Sequence, residues 1–96
     1  MILHVTTEAE WVKQTNNEYF VASSLSTEGF IHACTEEQLP GVLERYFAGK
    51  TDLIILTIEE KKLSPQIKFE KSLTGEMFPH IFGPINRVAI VSVKRL

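Results

Sequence analysis

The 96-residue sequence has a single cysteine, no basic run and no long apolar segment. One cysteine cannot form an internal disulfide, so nothing in the sequence indicates an oxidising compartment. No stretch approaches the roughly 20 apolar residues that a membrane-spanning helix needs. The N-terminus also lacks the basic and apolar regions of a signal peptide. We therefore expect a cytoplasmic protein without membrane contact.

Clustered positive charge is also missing, and the formal net charge is -2. Proteins that bind nucleic acid without sequence preference need clustered cations to displace counterions from phosphates. We therefore expect no extended nucleic-acid surface. The length and the hydrophobic content of 44% are those of one globular domain over residues 1–96, which can bury a core without metal or disulfides.

Hydrophobic periodicity and capping residues predict two main helices. Thr7 and Glu10 have the spacing of a capping box, which predicts a helix over about residues 8–14. Thr35 and Gln38 repeat that spacing before a second helix, in which proline occupies the first turn and glycine provides the stop. The apolar stripe of this second helix consists of Leu39, Val42, Leu43, Tyr46 and Phe47.

Alternation and β-branched content predict the strands. Residues 53–58 are almost entirely apolar, which indicates a central strand covered on both faces. Residues 30–34 predict a short strand with Phe30, His32 and Cys34 on one face. Residues 2–5, 67–71 and 86–93 predict three further strands, residues 26–29 a turn, and residues 78–84 a stiff loop with two prolines and one glycine.

The predicted elements do not alternate strictly between strand and helix. A doubly wound parallel sheet requires such alternation, so an α+β fold fits better. We expect a single compact domain of this α+β class with two main helices.

Three histidines and one carboxylate are the candidate functional residues, and we expect His4, His32, Glu70 and His80 to line one pocket. His32 precedes a helix N-terminus, where unpaired N–H groups favour an anion. Glu70 points away from the apolar residues of its strand, and its carboxylate can bind a ligand hydroxyl or stabilise positive charge in a transition state. The predicted catalytic residues are Glu70, His32 and His80.

Structural explanations compete with each of these assignments. His4 can be a core histidine bonded to backbone, Thr35 can simply cap a helix, and Glu70 can be a solvated partner of a neighbouring lysine. Cys34 could act as a nucleophile, although a lone cysteine is more often a small buried residue. No histidine or cysteine pair has the spacing of a strong zinc motif, so no metal site is predicted.

Several motifs resemble those of the domain-of-unknown-function family numbered 952. They are Ser24-Leu25, residues 28–32 (Glu-Gly-Phe-Ile-His) and residues 78–84 (Phe-Pro-His-Ile-Phe-Gly-Pro). The resemblance extends over nearly the whole chain, to small bacterial proteins that are sometimes named glutathione S-transferase-like. Family members often have Ser or Thr in place of Cys34 and Tyr in place of Phe82.

The resemblance implies a minimal ADP-ribosyltransferase-like fold, with a split, mixed β-sheet, flanking helices and a nucleotide-sized cleft. It implies NAD as the cofactor to test, with His4 binding NAD and Glu70 holding the nicotinamide ribose. Fold alone does not determine function.

The predicted function is binding of a small anionic or nucleotide-like ligand, NAD among them, with ADP-ribosyl- or glycosyl-transfer-like chemistry. The alternatives are a non-catalytic module that binds an anion or nucleotide and a metal-dependent hydrolase. The predicted ligand-binding residues are His4, Trp11, Ser24, His32, Thr35, Glu70, Phe78, His80 and Phe82.

Overall fold

A computed structural model describes residues 1–96 as eight strands and three α-helices. The elements are β1 Ile2–Thr7, α1 Glu8–Lys13, β2 Tyr19–Phe20, α2 Ser24–Glu28, β3 Ile31–His32, α3 Leu39–Tyr46, β4 Leu53–Ile58, β5 Ile67–Lys71, β6 Met77–Ile81, β7 Ile85–Asn86 and β8 Ile90–Arg95. Two 3₁₀ turns lie at Glu60–Lys62 and Arg87–Ala89. None of the helices is both long enough and apolar enough to cross a membrane.

The strands form two three-stranded sheets and a separate two-stranded ribbon. The sheets have the orders β1-β4-β8 and β3-β6-β5, and the ribbon pairs β2 with β7. A single bridge between Leu3 and Cys34 joins the two sheets. The α+β class is therefore confirmed, and β4 is a central strand as predicted.

Every strand pair is antiparallel, so the expectation of a mixed sheet is wrong. Parallel neighbours need a crossover connection that returns the chain in the same direction. Helix α3 connects β3 to β4, but β4 pairs with β1 and β8 rather than with β3.

Two apolar clusters cover the two faces of the strands. The face that carries Trp11 of α1 is called the α1 face, and the face beneath α3 is called the α3 face. The α1-face cluster comprises Ile2, Phe20, Ile31, Ala33, Ile54, Leu56, Ile58, Ile81, Ile85 and Ala89. The α3-face cluster comprises Leu3, Val5, Cys34, Leu53, Ile55 and Phe78, packed against Leu39, Val42, Leu43 and Phe47. Burial on both faces explains why β4 is apolar at every position except Thr57.

Both predicted capping boxes form, at least in part. Thr7 Oγ1 accepts a hydrogen bond of 3.2 Å from the backbone N–H of Glu10. Thr35 and Gln38 bond reciprocally, at 3.0 Å and 3.3 Å, through backbone N–H and side-chain oxygen atoms. The regular α3 starts at Leu39, after this turn. It ends at Tyr46 rather than at the predicted glycine.

The structure corrects three predictions made from local patterns. The turn predicted at residues 26–29 belongs instead to the end of the short helix α2, Ser24–Glu28, which Gly29 terminates with a φ of 88°. Residues 77–81 form β6, the central strand of its sheet, although a loop was predicted there. The predicted last strand is divided into β7 and β8 by the 3₁₀ turn at Arg87–Ala89.

Pro79 lies inside β6 at the cost of one backbone hydrogen bond. Its carbonyl accepts from the N–H of Ala33 at 3.1 Å, so its missing N–H would have faced the same residue. Beyond Ala33 the chain leaves β6 to pair with Leu3. The proline therefore sits where the ladder with β3 ends, which is a position that tolerates it.

Gly83 is expected to be essential for the close approach of the chain that follows β6. A Cβ atom at this position would lie 2.8 Å from Cβ of Pro65, so Gly83→Ala must push two backbone segments apart. We expect Gly83→Ala to lower the free energy of unfolding by about 1–3 kcal/mol, as overpacking does. Urea denaturation measures this change.

Gly41→Ala in α3 is the matched control. Its new Cβ would meet only the guanidinium of Arg45, the end of a long side chain that can shift, at 3.3 Å. Alanine is favoured over glycine inside a helix by about 1 kcal/mol, so this variant should be neutral or more stable. Equal destabilisation by both substitutions would contradict the packing argument for Gly83.

Candidate functional site

The α3 face of the sheet β3-β6-β5 carries a group of aromatic and titratable side chains. His32 of β3 and Lys68 of β5 both lie opposite His80 of β6 in the strand register. Directly opposed residues point to the same face, and alternation adds the residues two positions away. We call this group the histidine surface. It comprises Glu28, Phe30, His32, Lys68, Glu70, His80 and Phe82.

His80 is held in place on this surface by two contacts. Its Nδ1–H donates to Oε1 of Glu70 at 2.7 Å. Its ring stacks on Phe30 with a centroid distance of 3.8 Å and an interplanar angle of 11°. Because a carboxylate can only accept, the proton of a neutral imidazole must be on Nδ1, which leaves a lone pair on Nε2.

The free nitrogen of His80 reaches solvent. The side chain is 11% exposed, and its only hydrogen bond is the one at Nδ1. No buried side-chain nitrogen or oxygen in the protein lacks a partner, so Nε2 cannot be both buried and unbonded. The Glu70 side chain is 45% exposed. A ligand can therefore reach both members of the pair.

His32 forms a second pair of the same kind. Its Nε2–H donates to Oε2 of Glu28 at 3.0 Å, while Nδ1 makes no hydrogen bond. Glu28 is the last residue of α2, four positions earlier, and Gly29 turns the chain back into β3. The rings of His32 and His80 are 5.6 Å apart and nearly perpendicular, at 79°.

An apolar ring and a cation complete the surface. Phe82 lies 5.7 Å from Phe30, measured between ring centroids. The ammonium of Lys68 lies 5.5 Å from the centre of the Phe82 ring. The surface can therefore offer a stacking face, a positive charge and two imidazole nitrogens to one small molecule.

His4 is not part of the histidine surface, which corrects the prediction of one pocket with three histidines. It lies on β1 opposite Leu56, and its ring is 5.8 Å from Phe20 in the α1-face cluster. Alternation along the strands places it on the opposite face from His32 and His80. Its Nδ1–H donates to the backbone carbonyl of His32 at 2.6 Å. Desolvation by burial lowers the pKa of His4, so the ring is a neutral core group.

Two further predicted ligand contacts, Trp11 and Ser24, make structural contacts instead. Trp11 packs against Phe20, with centroids 5.6 Å apart, and the guanidinium of Arg87 lies 4.6 Å above the indole ring. Ser24 Oγ–H donates to the carbonyl of Phe30 at 2.8 Å. Ser24 thus anchors α2 to the start of β3 and acts on the site only through this backbone contact.

Thr35 and Phe78 also have structural roles. Thr35 is bonded to Gln38 at the start of α3, so its hydroxyl is already used. Phe78 is buried in the α3-face cluster, beneath the helix. Of the nine predicted ligand-binding residues, the structure brings together four: His32, Glu70, His80 and Phe82.

Cys34 and the metal alternative find no support in the geometry. Cys34 is buried, and desolvation raises the pKa of its thiol to about 11, which disfavours the nucleophilic thiolate. No group of three or more His, Cys, Asp or Glu side chains is arranged to hold a metal ion. The metal-dependent hydrolase therefore has no ligand set.

Three residues of the histidine surface were missed as candidates: Glu28, Phe30 and Lys68. Lys68 alternates with Glu70 on β5, so the period of two already indicated a shared face. Phe30 alternates with His32 in the same way. The pairing of Glu28 with His32 depends on α2, which was predicted as a turn.

A polar groove lies elsewhere on the molecule and includes none of the predicted site residues. It is lined by Thr15, Asn16, Asn17, Glu18, Tyr19, Ser64, Asn86, Arg87 and Val88. Arg87 already donates to the carbonyls of Asn17 and Gln14, and Asn86 bonds the backbone of Ser64 and Lys62. These polar groups serve the fold.

The fold and the site define an antiparallel α+β protein with two carboxylate-bound histidines on one sheet face. The chain belongs to the family described as proteins of unknown function, DUF952, whose family model matches residues 5–93. The motif resemblance found in the sequence is thereby confirmed. No curated protein matches the chain.

Solved structures of one bacterial protein share this fold. The crystal structure of protein CC0527 from Caulobacter crescentus has a TM-score of 0.86 and 26% identity, covering 97% of this chain and 82% of that one. Its solution NMR structure gives a TM-score of 0.84 and 27% identity, covering 99% and 83%. The similarity extends over both sheets and all three helices of the present chain.

Proposed function

We propose that this is a cytoplasmic protein that binds a small nucleotide-like ligand on the histidine surface, with NAD as the first candidate. In this proposal Glu70 and His80 act on the ligand in a glycosyl- or ADP-ribosyl-transfer-like reaction, in keeping with an ADP-ribosyltransferase-like relationship. The observation that carries the proposal is the 2.7 Å bond between Glu70 and His80, which leaves Nε2 without a hydrogen-bond partner in the protein. Cys34, a free thiol, is compatible with a reducing compartment.

The aromatic side chains support binding of a planar ring. Phe30 is stacked against His80 and in contact with Phe82, so these rings are ordered before a ligand arrives. Preorganised aromatic groups lose little entropy on binding. Lys68 supplies a positive charge for a phosphate beside the same rings. The neighbouring carboxylates, Glu28 and Glu70, are each engaged by a histidine.

The carboxylate pair supports the chemistry. Glu70 uses only Oε1 to hold His80, and its second oxygen is free to accept a ribose hydroxyl or to stabilise an oxocarbenium-like charge. His80 Nε2 is placed to accept or return a proton. In this proposal Glu70 orients His80 and stabilises the ribose, and His80 transfers the proton.

Glu70→Gln tests this division of roles. The amide cannot balance a developing positive charge, so we expect NAD hydrolysis or transfer to fall by about 10²-fold. Stabilisation of the protein by NAD in a thermal-shift assay should change far less. Glu44→Gln, on the exposed side of α3 and without a hydrogen-bond partner, is the matched control. Unchanged turnover in Glu70→Gln removes the role of Glu70, and a wild-type protein unaffected by NAD, AMP or ADP-ribose contradicts the binding proposal.

A non-catalytic binding module is the second candidate, and the exposure of the surface favours it. Water reaches Glu70 and His32 freely, whereas transfer enzymes usually exclude it from the reacting atoms. This candidate predicts stabilisation without product, of about 2.7 kcal/mol when the nucleotide is at 100 times its Kd. Chromatography of the nucleotide after incubation separates the two candidates.

A further inference from the structure

Each of the two histidines on the histidine surface is bonded to a glutamate, His80 through Nδ1 and His32 through Nε2. In each pair one ring nitrogen is fixed by a glutamate, and the other nitrogen makes no hydrogen bond. The rings are 5.6 Å apart, so a single tetrahedral centre can lie against both. Their exposures differ, with side-chain values of 54% for His32 and 11% for His80.

Two such nitrogens suit a reaction in which one atom loses a proton while another gains one. Replacement of an oxygen on phosphorus has this requirement, because the attacking hydroxyl must be deprotonated and the leaving oxygen protonated. We propose that His80 and His32 act as complementary base and acid in the metal-free cleavage of a phosphodiester that carries a neighbouring ribose hydroxyl. This inference rests on the proposed function, because it uses the same surface and the same class of ligand.

The step balances without any co-reactant. Neutral His80 takes the proton of the ribose hydroxyl at Nε2, and that oxygen forms a new bond to phosphorus. The bond between phosphorus and the leaving oxygen breaks, and protonated His32 gives its Nδ1 proton to that oxygen. The products are a cyclic phosphate and a free hydroxyl. The two imidazoles return to their starting states by exchanging protons with water.

The hydrogen bonds to the two glutamates fix which ring nitrogen of each histidine can exchange a proton with the substrate. Glu70 holds the Nδ1–H of His80, so only Nε2 can accept a proton from the substrate. Glu28 holds the Nε2–H of His32, so only Nδ1 can carry the proton that leaves. Because His32 is half exposed, its Nδ1 can regain a proton from water after each turnover.

Lys68 and the phenylalanines supply the remaining needs of the reaction. Lys68 lies opposite His80 in the register of β5 and β6. Its ammonium can stabilise the extra negative charge on a five-coordinate phosphorus. Phe30 and Phe82, with ring centroids 5.7 Å apart, provide aromatic faces on which a base can stack.

Uridylyl-adenosine is the probe for this activity, with product separation by chromatography and phosphorus NMR. We expect a cyclic phosphate product, a rate unaffected by EDTA, and a bell-shaped dependence on pH, because the base must be neutral and the acid protonated. His32→Gln should lower the rate by about 10²-fold and remove the high-pH fall, whereas His80→Gln should remove the low-pH rise. The analogue lacking the ribose hydroxyl should not be cleaved.

The variants separate this inference from structural effects and contamination. The variant that combines His32→Gln and His80→Gln, purified in parallel, measures the activity of any contaminating nuclease. Circular dichroism checks that each variant is folded. Glu70→Gln replaces His80→Gln if the latter does not fold, and it should also alter the low-pH limb. Cleavage of the deoxy analogue, or an unchanged rate in His32→Gln, would overturn the inference.

The result for binding is read separately from the result for cleavage. Imidazole proton shifts of His32 and His80 on titration with AMP report binding at the histidine surface. Shifts without cleavage of uridylyl-adenosine refute the phosphodiester inference and leave the proposed function standing. Cleavage by a protein that shows no response to NAD supports the inference and refutes NAD as the ligand.

Discussion

Replacing Phe20 with alanine will lower the free energy of unfolding by about 3–5 kcal/mol. Phe20 is completely buried, and its ring contacts both His4 and Trp11, at centroid distances of 5.8 Å and 5.6 Å. It therefore connects the ribbon β2-β7 to both β1 and α1. Since domains of this size are stable by about 5–15 kcal/mol in total, the loss is a large share. Urea denaturation followed by circular dichroism measures it.

Tyr19→Ala is the matched control, because Tyr19 is the other residue of β2 and is 46% exposed. Its truncation leaves no cavity, so we expect a change of less than about 1 kcal/mol. If both variants lose the same stability, the contribution of Phe20 comes from the ribbon itself and not from filling the α1-face core.

The second large effect concerns the dependence of stability on pH through His4. Desolvation lowers the pKa of His4 below its usual value of 6.5, while the hydrogen bond to the His32 carbonyl partly opposes this shift. Between pH 6.5 and the lowered pKa, the unfolded chain binds a proton that the folded protein does not. The free energy of unfolding therefore falls as the pH decreases through this window, by at most about 1.4 kcal/mol per pH unit. Above pH 6.5 His4 contributes no pH dependence.

His4→Gln isolates this contribution, because glutamine can donate to the same carbonyl and does not titrate. As the pH falls below 6.5, the wild type should lose stability relative to His4→Gln, because only the wild type carries the titrating side chain at position 4. His32→Gln, which replaces an exposed imidazole, should retain the effect of His4. Parallel curves for wild type and His4→Gln would show that His4 does not control the acid sensitivity.

Alternation along single strands predicted the core of the site. Glu70 was placed opposite the apolar residues of β5, and His32 on the same face as Phe30, from a period of two alone. These statements needed no knowledge of which strands are neighbours. The family was also identified from the motifs at residues 28–32 and 78–84, and its model matches residues 5–93.

The position of His4 could not be predicted in this way. The bridge between Leu3 and Cys34 joins residues far apart in the chain. It determines which side chains of β1 lie on the same face as His32 of β3. A shift of one residue in this register would place His4 on the opposite face. Sequence patterns give the alternation within a strand but not the register between two sheets.

Strand β6 was missed for a different reason. Two prolines and a glycine favour a loop by local propensity, and this preference was overridden by tertiary contacts. Pro79 loses only one bond of the ladder, and Phe78 and Ile81 are buried on opposite faces. The burial gained by these side chains outweighs the lost backbone bond.

The bridge between Leu3 and Cys34 has a consequence for how the two three-stranded sheets are held together. Only two backbone hydrogen bonds, of 2.7 Å and 2.8 Å, join the sheet β1-β4-β8 to the sheet β3-β6-β5. Side chains from both sheets nevertheless mix in each core cluster, on either side of this seam. Apolar side-chain packing, rather than backbone hydrogen bonding, therefore holds the two three-stranded sheets together. Denaturants that weaken apolar contacts, such as urea, should separate the two sheets before they disrupt the hydrogen bonds within either sheet.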